Sequence, residues 1–306
     1  MREIKKITLV LPTYNEEKNI ALMVEEVVPL CTKFSSDYQI IFVDDGSEDD
    51  TTLEIKKATD KNDKIKFIFF TRNFGHDSAM RAGIDYADGD FLIVMDADLQ
   101  HPIETAEHMI GLWRKGFDVV HGVRSRSKKL TDIFAFYFYK LFNFVSNIRL
   151  YENATDFVLL DKKVYEFIKE ISETTFFFRG LVTWIGLRQT TVSFVPPPRI
   201  HGTTKYSFTK LINLSLDAVT SFSIYPLRIL SKLGFLIMCL SFCYALVAIG
   251  RRLFFETPFG FTAILVAILF LGGMNILAIG VIGEYIGKIL LETKNRPKYL
   301  VKEKKV

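Results

Sequence analysis

The residues with the clearest chemical potential are two aspartates spaced one position apart, Asp96 and Asp98. They directly follow a short apolar run, Phe91–Met95, whose composition is typical of a buried strand, and Pro102 prevents that strand from continuing. If the chain stays extended here, both side chains point to the same side, and their hard oxygens suit a divalent cation. An isolated pair of this kind is more often a solvated acidic turn, so its meaning depends on the surrounding sequence.

The composition indicates a protein that is partly embedded in a membrane. Hydrophobic residues make up 49% of the 306 residues, 28 of them Phe, while 24% of the residues are charged. No charge occurs in Leu233–Gly250 or in Thr257–Gly283. Because a transmembrane helix needs about 20 apolar residues, the sequence predicts two consecutive transmembrane helices joined by a short loop. Buried core helices are the alternative.

The placement of basic residues sets the expected orientation of these two helices. Lysines and arginines precede the first apolar run and follow the second, which puts both ends on the cytoplasmic side. Arg251 and Arg252, in the connecting loop, argue weakly against this orientation and are outnumbered. The charged segment Met1–Lys6 does not resemble a signal peptide. We therefore expect a multi-pass protein of the cell inner (plasma) membrane, with only the loop 251–260 outside.

Net charge and cysteine content narrow the range of partners. The net charge of +4 gives no reason to expect nucleic acid, and basic residues near the apolar runs suit an anionic lipid bilayer better. The three cysteines have neither metal-binding spacing nor an obvious disulfide partner. Two of them, Cys239 and Cys243, lie inside the first apolar run, where a thiol behaves as a small apolar group.

The first 125 residues alternate between strand-like and helix-like segments. The predicted strands are Ile7–Leu11, Tyr38–Val43, Ile65–Phe70, Phe91–Met95 and Val119–Val120, and the predicted helices are Glu16–Leu30, Asp50–Thr59, Asp77–Tyr86 and Thr105–Arg114. Asn15 is the expected N-cap of the first helix. This alternation predicts an α/β fold with a mainly parallel sheet covered by helices on both faces, in which ligands bind at the carboxyl ends of the strands.

Polar clusters follow four of the predicted strands, at the edge where a ligand is expected. The clusters are Pro12–Glu16, Asp44–Ser47, Thr71–Asn73 and Asp96–Asp98. A bound nucleotide needs a surface for its base, which Tyr14 can supply, and acceptors for base and ribose, which Glu16, Asp44 and Asp45 can supply. Each cluster alone is better explained as an ordinary turn, in which Pro, Asn, Asp and Gly are common. Only the coincidence of the four clusters at one sheet edge favours a binding site.

Phosphate groups would have to be bound without a glycine-rich loop. Neither GxGxxG after the first strand nor GxxxxGK[ST] occurs, so a metal ion and basic side chains are the remaining means. The candidates are Arg72, Arg124, Arg199 and Lys205, with solvated surface charge as the alternative for each.

Asp156 enters an apolar segment, where an unpaired carboxylate costs several kcal/mol. It is either a catalytic base or an N-cap or satisfied buried aspartate.

The segment from Ile133 to Val145 is aromatic nearly all round, with Lys140 and Asn143 as its polar exceptions. This composition favours a helix lying in the membrane interface over a core helix, which remains the alternative. The segment Phe208–Leu227 has a similar mixed character and leads directly into the first apolar run.

Seven segments, in this order, resemble the family 2 inverting glycosyltransferases. More narrowly, they resemble the polyprenyl-phosphate glycosyltransferases, namely dolichol-phosphate mannose synthases and bactoprenol glucosyltransferases of the GtrB type. The segments are LPTYNEE, VDDGSED, TRNFG, MDADLQHP, GVRSR, TDFVLLD and RIHGTTKYS, followed by the two apolar runs. The resemblance covers essentially the whole chain and is weakest between Ser127 and Tyr151.

The resemblance implies a domain organisation and roles for individual residues. It implies a cytoplasmic GT-A catalytic domain over 1–205, a juxtamembrane amphipathic segment over 206–228, a two-helix transmembrane hairpin over 229–287 and a cytoplasmic basic tail over 288–306. It assigns Pro12, Tyr14, Glu16, Asp44 and Asp45 to the nucleoside, Asp96, Asp98 and Gln100 to Mg²⁺ or Mn²⁺, and Asp156 to the catalytic base. Ala97, Arg72, Arg124, Arg199 and Lys205 are expected to contact the donor or the acceptor phosphate.

The function that we expect is metal-dependent, inverting transfer of a hexose from a nucleotide sugar to a polyprenyl phosphate. UDP-glucose is the first choice of donor, and GDP-mannose and UDP-aminosugars follow. A polymer-forming family 2 synthase is less favoured, because the chain lacks a QxxRW-type segment. A non-catalytic nucleotide-binding membrane scaffold is the alternative from another class, and a homo-oligomer is an assembly that the sequence leaves open.

Overall fold

The structure is a computed structural model, and it describes residues 2–125, 151, 153–173, 178–197, 227–230, 232–237, 239–240, 242–243 and 260–306. The expected interfacial helix over 133–145, most of the juxtamembrane segment 206–228 and the loop 251–259 lie outside the described residues. The chain divides into two compact units, one formed by residues 1–218 together with 296–306, the other by residues 219–295.

The first unit contains a mixed sheet of eight strands in the order β7-β5-β6-β4-β1-β2-β3-β8. The strands are β1 (Lys6–Thr13), β2 (Asp37–Asp44), β3 (Ile65–Phe70), β4 (Phe91–Val94), β5 (Val119–Arg124), β6 (Ala154–Asp161), β7 (Gln189–Phe194) and β8 (Val301–Lys305). Strands β4, β1, β2 and β3 are parallel, β5 and β7 are parallel, and β6 and β8 run antiparallel to their neighbours. The prediction of an α/β fold with a mainly parallel sheet is confirmed.

Helices cover both faces of this sheet. They are α1 (Ile20–Phe34), α2 (Thr51–Lys61), α3 (His76–Asp85), α4 (Ile103–Arg114), α5 (Lys162–Glu170) and α6 (Phe178–Trp184). Alternate residues of the strands face opposite layers: Leu9 belongs to the apolar cluster that includes residues of α1, α2 and α4, whereas Val10 belongs to the cluster that includes residues of α3, α5 and α6. The strands therefore read as continuous apolar runs, because both faces are buried.

The first helix begins later than its sequence predicts. It starts at Ile20, and Asn15 is not its N-cap, since Asn15 has a left-handed backbone with φ 56°. The Asn15 backbone N–H donates to Ser47 Oγ at 2.8 Å, and its side-chain oxygen accepts from the Glu48 N–H at 2.9 Å. Asn15 thus joins the loops after β1 and β2, because its short side chain tolerates that conformation and bonds locally.

The last residues of the chain form an edge strand rather than only a basic tail. Strand β8 pairs antiparallel with β3, and Leu300 O accepts from the Thr71 N–H at 3.0 Å. Tyr299 stacks on Phe70 with ring centroids 5.0 Å apart and donates its hydroxyl to Asp85 at 2.9 Å. The charged, exposed side chains of β8 suit an edge position, where they discourage pairing with another strand.

The second unit contains α7 (Phe261–Thr293). Among the described residues, Phe270–Thr293 is the one stretch that is long and apolar enough to cross a membrane. Residues of the first apolar run are helical at 233–237, and Gly234 and Ile237 line a cleft together with Leu271 and Met274 of α7. The two apolar runs therefore lie side by side where they are described.

Candidate active site

The carboxyl ends of β1, β2 and β4 meet at one edge of the sheet. Thr13 is opposite Asp44 in the β1–β2 pairing, and the Asp45 N–H donates to Thr13 O at 2.9 Å. On the other side of β1, the Met95 N–H donates to Val10 O at 3.0 Å. The polar clusters that the sequence placed at these strand ends are therefore neighbours in space, as parallel pairing requires.

The loop after β1 is held against the loop after β2. The Glu16 N–H donates to Thr51 Oγ1 at 2.9 Å, and the Asn19 side-chain amide donates to Glu16 Oε2 at 2.6 Å. Asn19 stands at the N-cap position of α1, but its side chain makes no capping hydrogen bond and instead orients Glu16. Tyr14 and Glu16 are half-buried at this edge, whereas Pro12 is buried within β1.

Asp44 and Asp45 have structural partners. Asp44 is almost fully buried and accepts hydrogen bonds from the backbone N–H and hydroxyl of Ser47. Asp45 accepts from the Phe74 N–H at 2.6 Å and the Gly75 N–H at 3.0 Å. Burial raises the pKa of both carboxyl groups, and these hydrogen bonds oppose it. Both aspartates therefore shape the loops at the edge where a nucleoside is expected.

Gly46 allows the loop after β2 to touch the loop after β3. Its φ is +72°, and a Cβ added there would lie 2.4 Å from the backbone carbon of Arg72. Arg72 itself is exposed, donates to Asn73 O at 2.9 Å and places its guanidinium 4.0 Å from the centroid of the Phe74 ring. Its side chain thus packs on its own loop, and its contact with phosphate stays a prediction.

The two aspartates after β4 lie in a turn and not in an extended segment. Asp98 Oδ1 accepts from the Gln100 N–H at 3.1 Å, and Leu99 has a left-handed backbone with φ 61°. The condition under which both carboxylates would point to one side is therefore not met, because Asp98 bonds its own backbone two residues on. Ala97, between them, is buried.

His101 holds this turn in place. Its Nδ1 accepts from the Asp96 N–H at 3.0 Å, and its ring stacks on Phe157 with centroids 4.5 Å apart. Burial lowers the pKa of His101, which agrees with an imidazole that accepts a hydrogen bond on Nδ1. A left-handed Leu99 costs on the order of 1 kcal/mol, so the turn needs such support.

A histidine at the start of α3 lies between the two regions that the sequence assigned to metal and to catalysis. His76 Nε2 is 3.4 Å from Asp96 Oδ1 and 3.7 Å from Asp156 Oδ2. Asp156 reaches this point because β6 is antiparallel to β4, with Val158 opposite Val94. It lies two positions before Val158 and hence on the same face of the sheet, the face covered by α3 and α6.

Asp156 is held by an arginine that the sequence did not single out. Arg179, on α6, donates from Nε to Asp156 Oδ1 at 2.8 Å and from Nη2 to Oδ2 at 2.9 Å. Burial alone would raise the pKa of Asp156, but the charge and hydrogen bonds of Arg179 outweigh it and hold that pKa at about 2. Asp156 is therefore a paired carboxylate and, in this arrangement, a weak proton acceptor.

A further acid, Asp77, follows His76 and belongs to the same group of side chains as Asp96 and Asp156, which we call the acidic cluster. Burial, and then the charge of Asp156, raise the pKa of Asp77 to about 7. For His76, desolvation acts to lower the pKa, but Asp96, Asp156 and Asp77 outweigh it and raise the pKa. The carboxylates of Asp96 and Asp156 thus favour a cation beside them.

The chain's own residues fit a divalent cation whose other ligands come from a substrate. Asp96 Oδ1 is buried and accepts no hydrogen bond from the described part of the chain, so a cation would satisfy it. No cluster of three or more acidic, histidine or cysteine side chains suited to a metal occurs among the described residues. Mg²⁺ commonly binds through one or two carboxylates plus substrate phosphates, which Asp96 fits, whereas Asp98, whose Oδ1 accepts from the Gln100 N–H, stays a predicted second ligand.

The predicted basic residues are only partly described. Arg124, at the end of β5, donates from Nη2 to Gln100 Oε1 at 3.1 Å, which brings Arg124 and Gln100 together beside the Asp96 turn. Arg199 and Lys205 lie outside the described residues. Their assignment stays a prediction.

Sequence reasoning missed His76, His101 and Arg179. The two histidines stand inside or directly beside segments used for the resemblance, TRNFG and MDADLQHP, so proximity to those segments was a usable signal. Arg179 follows the aromatic run 176–178, which gave no sign that it would meet Asp156.

Two known protein families match parts of the chain. Residues 8–168 match the glycosyl transferase family 2 domain, and residues 225–289 match the GtrB C-terminal hairpin. Among solved structures, glucosyl-3-phosphoglycerate synthase from Mycobacterium tuberculosis, in complex with Mn²⁺ and UDP-glucose, aligns with 71% of this chain and 77% of its own. The identity is 16% and the TM-score 0.45.

Full-length relatives have similar sequences. The SfII prophage-derived bactoprenol glucosyl transferase of Shigella flexneri is 40% identical over 97% of this chain and 98% of its own length. The prophage bactoprenol glucosyl transferase homolog of Escherichia coli K12 is 40% identical over 98% of this chain and 99% of its own. An uncharacterized glycosyltransferase of Synechocystis is also 40% identical, over 97% and 95%. The chain therefore belongs to glycosyltransferase family 2 and carries the C-terminal hairpin of the GtrB type.

Proposed function

We propose that the chain transfers a hexose from a nucleotide sugar to a polyprenyl phosphate at the cytoplasmic surface of the membrane, with inversion at the anomeric carbon. The first choice of donor is UDP-glucose. The observation that carries the proposal is 40% identity, over nearly the whole chain, with proteins named bactoprenol glucosyl transferase. The acidic side chains at the strand ends support the proposal, because they lie between the edge of the sheet where a nucleotide is expected and Asp156, which Arg179 binds.

The donor would lie across the ends of β1, β2 and β4. Tyr14 and Glu16 are half-buried there, and Asn19 fixes the Glu16 carboxylate, which suits hydrogen bonding to a base or ribose. In our proposal Asp44 and Asp45 keep the surrounding loops in place and complete the nucleoside site. Pro12 contributes to its floor as part of β1.

The diphosphate of the donor would lie at the turn after β4. Asp96 and Asp98 would hold Mg²⁺ or Mn²⁺ there, with Gln100 beside them and the Ala97 backbone against the donor. When bound, such an ion neutralises the charge of the leaving diphosphate. His101 keeps the turn in shape from beneath through the Asp96 N–H.

The acceptor demands little acid–base chemistry from the protein. A phosphate monoester loses its second proton with a pKa of about 6, so the nucleophile is largely an anion at neutral pH. Positioning of that anion in line with the anomeric carbon should therefore supply most of the rate. Arg124, Arg199 and Lys205 are proposed to help to hold the phosphate groups of donor and acceptor.

The membrane hairpin has a physical purpose in this reaction. A polyprenyl chain stays in the bilayer, so the catalytic domain must work at the membrane surface. The match of residues 225–289 to the GtrB hairpin supports this arrangement. We propose that both apolar runs cross the bilayer and that the loop between them faces the outside.

The test is a panel of nucleotide sugars incubated with purified protein and polyprenyl phosphate, with the lipid products identified by mass. Hexosyl polyprenyl phosphate from UDP-glucose, formed with added Mg²⁺ or Mn²⁺ and lost in EDTA, is the expected result. A product from GDP-mannose or a UDP-aminosugar alone would correct the donor. A polymeric product would favour a synthase, and the absence of transfer or donor hydrolysis under all conditions would favour a scaffold.

A further inference from the structure

The ion pair between Arg179 and Asp156 holds the Arg179 guanidinium in one orientation. Both guanidinium contacts are short, at 2.8 and 2.9 Å, and they form a two-pronged bridge. Such bridges hold the planar guanidinium in one orientation. Asp156 comes from a strand in the middle of the sheet, so it is the fixed partner, whereas Arg179 comes from a short helix, α6, packed against that strand.

Exposure differs between the two partners in a way that favours the arginine as the group that meets a ligand. The Asp156 side chain is 15% exposed, and the Arg179 side chain is 37% exposed. Since His76 lies 3.7 Å from Asp156 Oδ2, both carboxylate oxygens already face cationic or polar nitrogen atoms. A guanidinium can donate to a carboxylate on one edge and to a phosphate on another.

The charge of the cluster also calls for a cation at the acceptor position. The carboxylates of Asp96 and Asp156 lie 3.4 and 3.7 Å from His76 Nε2, so they would repel a phosphate dianion approaching this point unless a positive group met it. Arg124 contacts the Asp96 turn through Gln100, on the donor side. Arg179 contacts the cluster through Asp156, on the side of α6.

We propose that Arg179 binds the phosphate of the lipid acceptor and that Asp156 is a positioning residue that acts through Arg179. The inference rests on the proposed function and specifies how the acceptor is held. The phosphate oxygen of the acceptor forms a bond to the anomeric carbon while the bond from that carbon to the donor's β-phosphate oxygen breaks. The electron pair leaves with the nucleoside diphosphate, and no proton needs to be taken up by Asp156.

The test compares variants at both positions with a matched arginine elsewhere in the same unit. Arg179→Lys keeps the charge but loses the two-pronged bridge, Arg179→Gln loses both, and Asp156→Asn loses the partner of Arg179. Arg188→Gln is the control: Arg188 is exposed and directly precedes β7, at the edge of the sheet where its parallel partner β5 begins, away from the strand ends of the site. Acceptor KM, donor KM, kcat and melting temperature are measured for each, together with the Kd of a water-soluble short-chain prenyl phosphate.

We expect Arg179→Lys and Arg179→Gln to raise the acceptor KM and the Kd of the prenyl phosphate by about 10- to 100-fold, the scale of a lost charge-assisted contact, with donor KM unchanged. Asp156→Asn should act in the same direction, and the double variant Asp156→Asn/Arg179→Gln should be no worse than Arg179→Gln alone. Arg188→Gln should leave all of these values unchanged.

Other results would overturn the proposal. If Asp156→Asn lowers kcat without changing acceptor KM, and its effect multiplies with that of Arg179→Gln, Asp156 acts directly on the reaction. If both Arg179 variants bind the prenyl phosphate like the unmodified protein, or change only the melting temperature, the bridge is structural. If the unmodified protein transfers no sugar yet binds the prenyl phosphate through Arg179, the proposed function fails while this site stands. If it does neither, both fail.

Discussion

Single carboxylates in this site have different roles that their sequence context does not distinguish. Asp96, Asp98 and Asp156 all follow or enter apolar segments, yet one has a buried oxygen without a hydrogen bond from the described residues, one caps a turn and one is held by Arg179. For Asp98 the partner, Gln100, is in the same turn, whereas for Asp156 it is distant in sequence. The partner of Asp156 is Arg179, 23 residues away, and the ion pair with Arg179 keeps the carboxylate ionised.

Replacement of either aspartate of the turn after β4 tests the proposed metal site. We expect Asp96→Asn or Asp98→Asn to abolish transfer, a loss of at least about 10²-fold, because each removes a charge that would hold the cation and keeps the side-chain volume. Asp60→Asn, on the exposed surface of α2, is the control and should be fully active. Transfer rates and Mn²⁺ affinity by titration calorimetry are the measurements. Normal turnover of either variant at low divalent ion would refute the metal assignment.

The sequence placed the candidate residues at one edge of the sheet but did not show the contacts between them. Strand-end position is a property of the local pattern, so the amino-acid sequence alone places Tyr14, Glu16, Asp45 and Asp96 at one edge of the sheet. Arg179 could not be assigned, because its contact with Asp156 depends on how α6 packs on the sheet, and the contact of His76 with Asp156 depends likewise on α3, although His76 directly follows the segment TRNFG. The turn at Asp98 was also missed, since a left-handed Leu99 is unusual for that residue type.

At the scale of elements, the contact between α3 and β1 is unusually close. A Cβ added at Gly83 would lie 2.1 Å from Val10 Cγ1, whereas one added at Gly111, in α4, would meet nothing within 4 Å. Both glycines lie within helices, so their helix propensities are comparable and only the packing differs. The pair therefore separates packing from propensity.

We expect Gly83→Ala to lower the free energy of unfolding of the first unit by about 1–3 kcal/mol, because the added methyl group overpacks α3 against β1. Gly111→Ala should stabilise it by about 0.5–1 kcal/mol through better helix propensity. Thermal unfolding in detergent, at fixed protein and lipid content, measures both. Equal melting temperatures for the two variants would show that α3 can move away from β1 without cost.

A second element-scale feature is the buried carboxylate that joins the start of the chain to the far end of the sheet. Asp118 accepts from Arg2 at 2.6 Å and from Lys163 at 2.7 Å, and its other oxygen accepts from the Arg188 N–H at 3.2 Å. Burial acts to raise the pKa of Asp118, but these partners outweigh it and lower that pKa. Asp118 therefore contributes to the free energy of unfolding at a pH above its unfolded pKa of about 4. This contribution is lost as the pH falls through the lower pKa that Asp118 has in the folded state.

Asp118→Asn should therefore lower the free energy of unfolding by about 1–3 kcal/mol at pH 7 and by less near pH 3. The measurement is the melting temperature of both proteins from pH 7 to pH 3, with Asp63→Asn, an exposed aspartate, as the control. A constant difference between the unmodified protein and the variant across this range would show that the ion pairs of Asp118 do not contribute.

Elements were predicted from the sequence more reliably than their ends. Four parallel strands and the helices between them follow from apolar runs and polar breaks, and β5 proved longer than the two residues predicted. Strand β8 was not predicted, because its sequence, VKEKK, has the composition of a solvated tail and becomes a strand only through pairing with β3. Local composition carries no information about such a distant partner.

At the scale of the whole molecule, the position of β8 restricts how the chain can cross a membrane. Residues 296–306 fold into the same unit as residues 2–125, and β8 is hydrogen-bonded to β3. The chain that leaves this unit after residue 218 must therefore return to the same side of the bilayer. Because only an even number of crossings allows that, a membrane-spanning Phe270–Thr293 would require a second crossing before it. The first apolar run, Leu233–Gly250, is the segment that meets the requirement.

The two-span topology predicts that only the loop between the apolar runs is accessible from outside the cell. In a protein whose three cysteines are replaced by alanine, a Thr257→Cys variant should react with a membrane-impermeant maleimide in intact cells. Asp60→Cys, on the exposed surface of α2, should react only after lysis, because α2 belongs to the unit that the proposed topology places in the cytoplasm. If both Thr257→Cys and Asp60→Cys react only after lysis, neither apolar run crosses the bilayer, and the hairpin would have to lie in the interface on the cytoplasmic side. Labelling of Asp60→Cys in intact cells would instead place the catalytic unit outside, where no nucleotide-sugar donor is supplied, and would contradict the proposed reaction together with its topology.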